Sequence, residues 1–460
     1  MNDAPPPTAL ALGREIETGA RDPRDLTEMF LAAIATAGPD RRIFDRVTAA
    51  RARAEAAAAF ERAKAGLRRS PLDGVPISWK DLFDTVGDET PAGSRMLRGR
   101  VPARDADAVA RATRAGLICL GTTAMTVLAV SARGIQPVMG PPANAMDRAI
   151  ARAPGGSSSG AAVALASGLC AASIGTDTGG SVRIPAAWHA LVGFKPGRGL
   201  IPTGGIVPLC PSLDTVGPLA RDVADAAALA FTLAGRRMPQ LAGETLRGRT
   251  ILVPDSDVWE DADHGVAEAV EFALRTISRA GADIVRTHIP ELSEMTALTW
   301  ASGISLAAVE AWAIWGDTIE ARGDDMFAPV RARFESGRSV DAAAAHRLIR
   351  RRAELRASLA DRLAGIDAIA LPSIPVDPPR LERIEAGGPD YDRANRLALR
   401  NTTLANQLDL CAITLPAGVS ARGLPVGLML MAPSGRDARL LRIAHAVEAA
   451  HLPETKTGDG

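Results

Sequence analysis

Residues 154–196 read PGGSSSGAAVALASGLCAASIGTDTGGSVRIPAAWHALVGFKP. Two Gly-Gly-Ser turns, at 155–157 and 179–181, flank an Ala-rich segment that is helical by propensity, and the second turn follows the strand-like run 171-AASIG-175. Glycine pairs let the main chain approach a ligand closely, and successive N–H groups in such turns form an anion-binding concavity, as an oxyanion hole requires. Two other uses compete for these letters. Surface loops favour Gly and Ser for turn chemistry alone, and a phosphate cradle would use the same N–H groups. Neither G-x-x-x-x-G-K-S/T nor a strand-led G-x-G-x-x-G lies nearby to support the cradle.

Outward from this stretch, short apolar runs bounded by Gly and Pro alternate with helical patterns. The runs are 75-VPISW-79, 117-LICL-120 and 250-TILVPDS-256; the helical stretches include 105–116 and 222–235. Such alternation predicts an α/β fold with helices on both faces of a sheet. An Ala-, Arg- and Glu-rich helix over 47–68 precedes it. Between 257 and 365 the pattern is almost wholly helical and Arg-rich, which reads as a helical layer shaping a pocket. Strand-like runs return at 366-IDAIALPS-373, 411-CAITLPAGV-419 and 424-LPVGLMLMAP-433, followed by a helix over 437–451. Strands on both sides of the helical region predict one central mixed sheet built from distant parts of the chain. The expected organisation is therefore a single domain over 1–460: N-terminal helices to 70, a core over 71–235, the helical layer, and strands with a helix over 366–452. The last residues, 454–460, are expected to fray.

Composition narrows the function classes. The 460 residues carry 53 Lys+Arg against 53 Asp+Glu, which removes the electrostatic case for nucleic acid or an anionic membrane as a direct partner. No apolar run approaches the roughly 18 residues of a membrane span and the start lacks a basic, then apolar leader, so a cytoplasmic protein is expected. A homodimer stays open. Cys119, Cys170, Cys210 and Cys411 show no CxxC spacing and sit among apolar residues, and no His/Cys/Asp cluster has ligand spacing, so neither metal nor organic cofactor is expected. Four of the 53 basic residues are lysine (Lys64, Lys80, Lys195, Lys456) and the rest are arginine. Where only positive charge is needed this chain uses Arg. A lysine in an apolar segment is therefore a candidate for the one thing Arg cannot do, losing a proton.

Gly156-Ser157-Ser158-Ser159-Gly160 formally matches G-x-S-x-G, the nucleophile elbow of α/β-hydrolase esterases, with Ser158 as nucleophile. The elbow requires a buried strand just before it, whereas the preceding residues carry Arg148, Arg152 and Pro154. The histidines are scattered, with His445 inside an amphipathic helix and His189 in a segment that reads as scaffold. Lys80 ends the apolar run 74-GVPISWK-80. Holding it neutral at pH 7 requires a shift of roughly 3.4 units, within the reach of burial. Lys80 is thus a candidate base; a surface pair with Asp81 or Asp84 is the plain alternative.

These segments together closely resemble the amidase signature family. The resemblance runs through 74-GVPISWKD-81, 91-PAGS-94, 154-PGGSSSG-160, 175-GTDTGGSVRIPAA-187 and 192-VGFKP-196, then 205–227, 370-ALPSIP-375 and 423-GLPVGLML-430. It implies an amidase signature fold and hydrolysis of a carboxamide C–N bond of a small-molecule amide. In that resemblance Ser181 matches the acyl-accepting nucleophile, Ser157 the bridging serine held by a cis peptide, and Lys80 the base. Backbone N–H groups of Thr178, Gly179, Gly180 and Ser181 match the oxyanion hole, with Asp177, Arg183 and Ser158 as supporting residues. The A subunit of a tRNA-dependent amidotransferase, which takes ammonia from glutamine for a partner subunit, is the second reading. The run 121-GTTAM-125 departs from the family's Lys-Thr-Asn-Met at Thr122 and Ala124, and 131–147 matches loosely.

Overall fold

The computed structural model describes residues 6–131, 134, 140, 142–384 and 389–451. The terminal stretch 454–460 and part of the loosely matched 131–147 lie outside the described residues. Eleven strands form one sheet: β1 (Phe44–Val47), β2 (Pro76–Lys80), β3 (Ile118–Thr123), β4 (Ala172–Asp177), β5 (Val192–Lys195), β6 (Thr215–Ala220), β7 (Thr250–Pro254), β8 (Asp283–Thr287), β9 (Ala368–Pro372), β10 (Leu410–Val419) and β11 (Pro425–Pro433). Their order is β1-β3-β2-β4-β6-β5-β10-β11-β9-β7-β8. The sheet is mixed. β2 runs parallel to β3 and β4, and β7 parallel to β8 and β9, while β4–β6, β5–β6, β5–β10, β10–β11 and β9–β11 are antiparallel.

Alternation along the central strands shows why both faces are covered. Cys411, Ile413 and Leu415 of β10, with Leu428 and Leu430 of β11, join one core with Leu440, Val447 and Val270. The intervening Leu410, Ala412, Met429 and Met431 join a second core with Leu355, Leu359 and Leu404. A strand whose alternate side chains both find apolar partners reads as a continuous apolar run, as 410–415 does.

Region 257–365, expected to be almost wholly helical, also supplies β8. It is an edge strand, paired on one side with β7, and its DIVRT is mostly exposed, so it lacks the apolar run that marks a buried strand. β1, β5 and β6 were likewise not legible as strands. β1 is a four-residue edge strand, β5 is equally short, and β6 carries Gly217 and Pro218 in its interior. Among the described residues no helix is long and apolar enough to cross a membrane.

Candidate active site

The parallel pairing of β2 with β4 sets Trp79 opposite Ile174, so both strands end at the same side of the sheet and Lys80 arrives beside Thr176. Carboxyl ends of adjacent parallel strands are where α/β folds place ligands. Lys80 has no exposed surface. Its Nζ lies 2.7 Å from Ser157 Oγ and 2.8 Å from Thr176 Oγ1. No carboxylate lies within ion-pair distance of it among the described residues: Asp81 pairs with Arg46 and Asp84 with Arg100. The plain alternative for Lys80, a surface ion pair, therefore fails. Burial pushes the Lys80 amine down to about 7, against the opposing pull of the Asp214 and Asp177 carboxylates.

The Gly156–Ser157 peptide is cis. Ser157 and Ser158 are both fully buried. Ser158 caps the helix Ser159–Ala166, donates from its backbone N–H to Ser181 O (3.3 Å), and sits against Thr176 O and the bare Cα of Gly175. Among the described residues no strand leads directly into it, as an elbow nucleophile would need. Ser158 is walled in, whereas Ser181 lines a cavity and keeps 6% of its surface.

The 178–181 turn is held from three sides. Thr402 and Thr403 hydroxyls both donate to Gly179 O, at 2.7 and 3.0 Å. The N–H of the same peptide unit, on Gly180, donates to Asp177 Oδ1 at 2.8 Å. Of the four N–H groups expected at an oxyanion hole, that of Gly180 is thus engaged by a carboxylate, whereas those of Thr178, Gly179 and Ser181 have no acceptor among the described residues. Gly180 itself has φ +137°, a conformation that L side chains rarely adopt.

Asp177 and Arg183 are both without exposed surface and form a two-pronged pair, Nε–Oδ2 3.0 Å and Nη2–Oδ1 2.8 Å. Asn406 joins from the helix Pro389–Gln407, donating to Asp177 Oδ1 at 2.9 Å and accepting from Arg183 at 2.7 Å. Burial alone would raise the Asp177 carboxyl; Arg183 overrides it and carries it to about 2.

Several residues of this site escaped the sequence reading. Thr176 and Asp214 lie within segments that carry the family resemblance, but neither side chain stands out there. Asp214 stands one residue before β6, whose pairing with β4 brings it to Thr178: the Thr178 hydroxyl donates to Asp214 Oδ1 at 2.5 Å, and the N–H groups of Leu209 and Cys210 donate to Oδ2, each at 3.0 Å. Burial raises the Asp214 carboxyl. Nothing local in the sequence marks Asn406, Thr402 or Thr403. His189 is scaffold: its Nδ1 sits 2.8 Å from Pro185 O, Nε2 accepts from Ala145 N–H, and burial pushes it down to about 4.

Above Ser181 a cavity of about 440 Å³ is walled by residues from the 129–131 and 209–213 loops, the helical region 295–348 and the helix Pro389–Gln407. Three hydrogen bonds clamp the helix Leu306–Arg322 to the loop below it. Glu310 accepts from the Ser212 backbone N–H at 3.0 Å and from its hydroxyl, and Trp315 Nε1 donates to Pro208 O at 2.9 Å. Among the described residues no group of three His, Cys, Asp or Glu is placed to hold a metal ion.

Comparison with known proteins agrees with this arrangement. The chain is 36% identical over 408 residues to a 2-amino-5-chloromuconic acid deaminase of Comamonas testosteroni, covering 87% of this chain and 86% of that protein. It is 34% identical over 470 residues to the A subunit of the glutamyl-tRNA(Gln) amidotransferase of Anaeromyxobacter sp. (strain K), covering 95% and 94%. A crystal structure of an amidase superposes with TM-score 0.86 at 32% identity, over 97% of this chain and all of that one. The peptide amidase of Stenotrophomonas maltophilia superposes with TM-score 0.76 at 27% identity, over 96% of each. A profile of the amidase family matches residues 25–441, and the chain belongs to that family, the amidase signature enzymes.

Proposed function

We propose that the chain hydrolyses a carboxamide through an acyl-Ser181 intermediate. The observation that carries the reading is the environment of Lys80: a buried amine with no carboxylate in ion-pair range among the described residues, 2.7 Å from the Ser157 hydroxyl. A neutral Lys80 takes the Ser157 proton as Ser157 takes that of Ser181, whose oxygen attacks the amide carbon. The N–H groups of Thr178, Gly179 and Ser181 receive the oxyanion, worth several kcal/mol in such sites. The proton returns along the same path to the departing nitrogen, which leaves as ammonia or an amine, and water then releases the acid. Asp177, Arg183, Asn406 and Asp214 touch none of the reacting atoms; they hold the turn that does.

A fluorophosphonate probe tests this directly. It should label Ser181, Ser181→Ala should abolish labelling, and Ser158→Ala should leave labelling at least in part. Labelling that depends on Ser158 and survives Ser181→Ala would replace this reading by the esterase elbow.

Similarity over 95% of the chain to an amidotransferase A chain supports a second reading, release of ammonia from glutamine for a partner protein. The relative with the deaminase name supports a stand-alone enzyme. Turnover of amides by the isolated chain favours the hydrolase; glutaminase activity that needs a second protein favours the other.

A further inference from the structure

The cavity over Ser181 is electrostatically lopsided. Its lining includes two guanidinium groups, Arg333 and Arg396, and one carboxylate, Asp392. Arg333 reaches Asp392 at 3.4 Å, but the Asp392 side chain is 72% exposed, against 34% for Arg333, so its charge is largely screened by water. Arg396 makes no ion pair or hydrogen bond among the described residues. Elsewhere the chain pairs its arginines tightly, Arg351 with Glu294 and Arg62 with Asp73 being examples. The same cavity is lined by apolar side chains as well, Met295, Ile304, Phe334 and Leu348 among them.

A cation facing an apolar-walled cavity is worth more to an anion than one in open water. The guanidinium fork also matches a carboxylate in two parallel bonds. Ser181 and the turn N–H groups line the same cavity, so a ligand held by the arginines shares one space with the acylating serine. We propose that Arg333 and Arg396 receive a carboxylate of the substrate, and that the enzyme acts on monoamides of small dicarboxylic acids, with the amide at Ser181 and the acid at the arginines. This rests on the acyl-serine reading and names its substrate class. A cavity of about 440 Å³ is of the size that takes such a molecule.

Calorimetric titration of the Ser181→Ala protein, which cannot turn over an amide by this route, separates binding from chemistry. The probes are the monoamides of C4 to C6 dicarboxylic acids and the matching diamides, which differ only in charge at one end. The monoamides should bind about tenfold or more tighter, the ratio expected of one charge-assisted contact. Adding Arg333→Gln or Arg396→Gln should each erode that preference. Arg350→Gln, on an exposed arginine outside the cavity, should leave it unchanged. Because Arg396 is exposed and makes no pair among the described residues, its variant should fold even if Arg333→Gln does not. Equal affinity for the two series, no binding of either, or a preference that survives the Arg396 and Arg333 changes overturns the proposal. Failure of the fluorophosphonate to label Ser181 would instead count against the acyl-serine reading.

Discussion

Lys80 Nζ stands 2.7 Å from Ser157 Oγ, on a side chain with no exposed surface and with no carboxylate in ion-pair range among the described residues. In that setting the ammonium loses its hydration and gains only the weaker fields of Asp214 and Asp177 in return, so the proton leaves near pH 7. kcat/KM should therefore rise with pH through an apparent pKa of about 7, because the neutral amine is the working form. The sign for stability is the same: the unfolded chain holds this proton up to about 10.5 and the folded chain only to about 7, so folding gains as pH rises between them. A flat kcat/KM profile between pH 6 and 9 would contradict the assignment.

Arginine keeps the charge at position 80 but cannot surrender it. Lys80→Arg should lose about 10² to 10⁴-fold in kcat/KM, close to the loss in Lys80→Ala. Folded Lys80→Arg enzyme with most of its activity would reduce Lys80 to a structural residue.

Asp214 is tied to both halves of the chemistry, through the Thr178 hydroxyl and through its field at Lys80. Asp214→Asn removes a negative charge that favours protonated Lys80, so the midpoint of the kcat/KM profile should move to lower pH. The plateau rate should fall as well, since Thr178 loses its anchor beside the oxyanion site. A lower rate with an unmoved midpoint would leave Asp214 only the second role.

The Asp177–Arg183 pair is fully desolvated, so removing one partner strands the other. Arg183→Met should lower stability by about 3 to 5 kcal/mol in denaturant titration, and a double change of Arg183 and Asp177 to apolar residues should recover part of it. Strictly additive losses would show that the two do not act as a pair.

At Gly180 a Cβ would meet Thr402 Oγ1 at 2.2 Å, on a backbone with φ +137°. Gly199 also has positive φ, +84°, but open space around it. Gly180→Ala should therefore abolish fluorophosphonate labelling or soluble expression, whereas Gly199→Ala should show only the backbone cost of about 1 to 2 kcal/mol. Equal behaviour of the two variants would mean that the Thr402 contact does not constrain the turn.

What could be read along the chain was whatever the backbone writes locally. The serine turns, the apolar run ending in Lys80 and the doubly buried strands 410–419 and 425–433 each carry their own periodicity or turn chemistry. The scarcity of lysine made Lys80 conspicuous, but it made Lys195 equally so. Only tertiary structure separates them. Lys195 donates to Pro196 O from inside the sheet, while the parallel register of β2 on β4 delivers Lys80 to Thr176 and Ser157. Residues that act from a distance left no local mark. Asn406 reaches Asp177 across 229 positions, and Thr402 reaches Gly179 across 223. Their roles depend on a helix packing over a turn, and an Asn or Thr in a helix looks the same in sequence whether it faces water or a buried carboxylate. The expected oxyanion site divides in the same way: the family resemblance implies the four N–H groups, but only the fold shows that the Asp177 carboxylate takes that of Gly180.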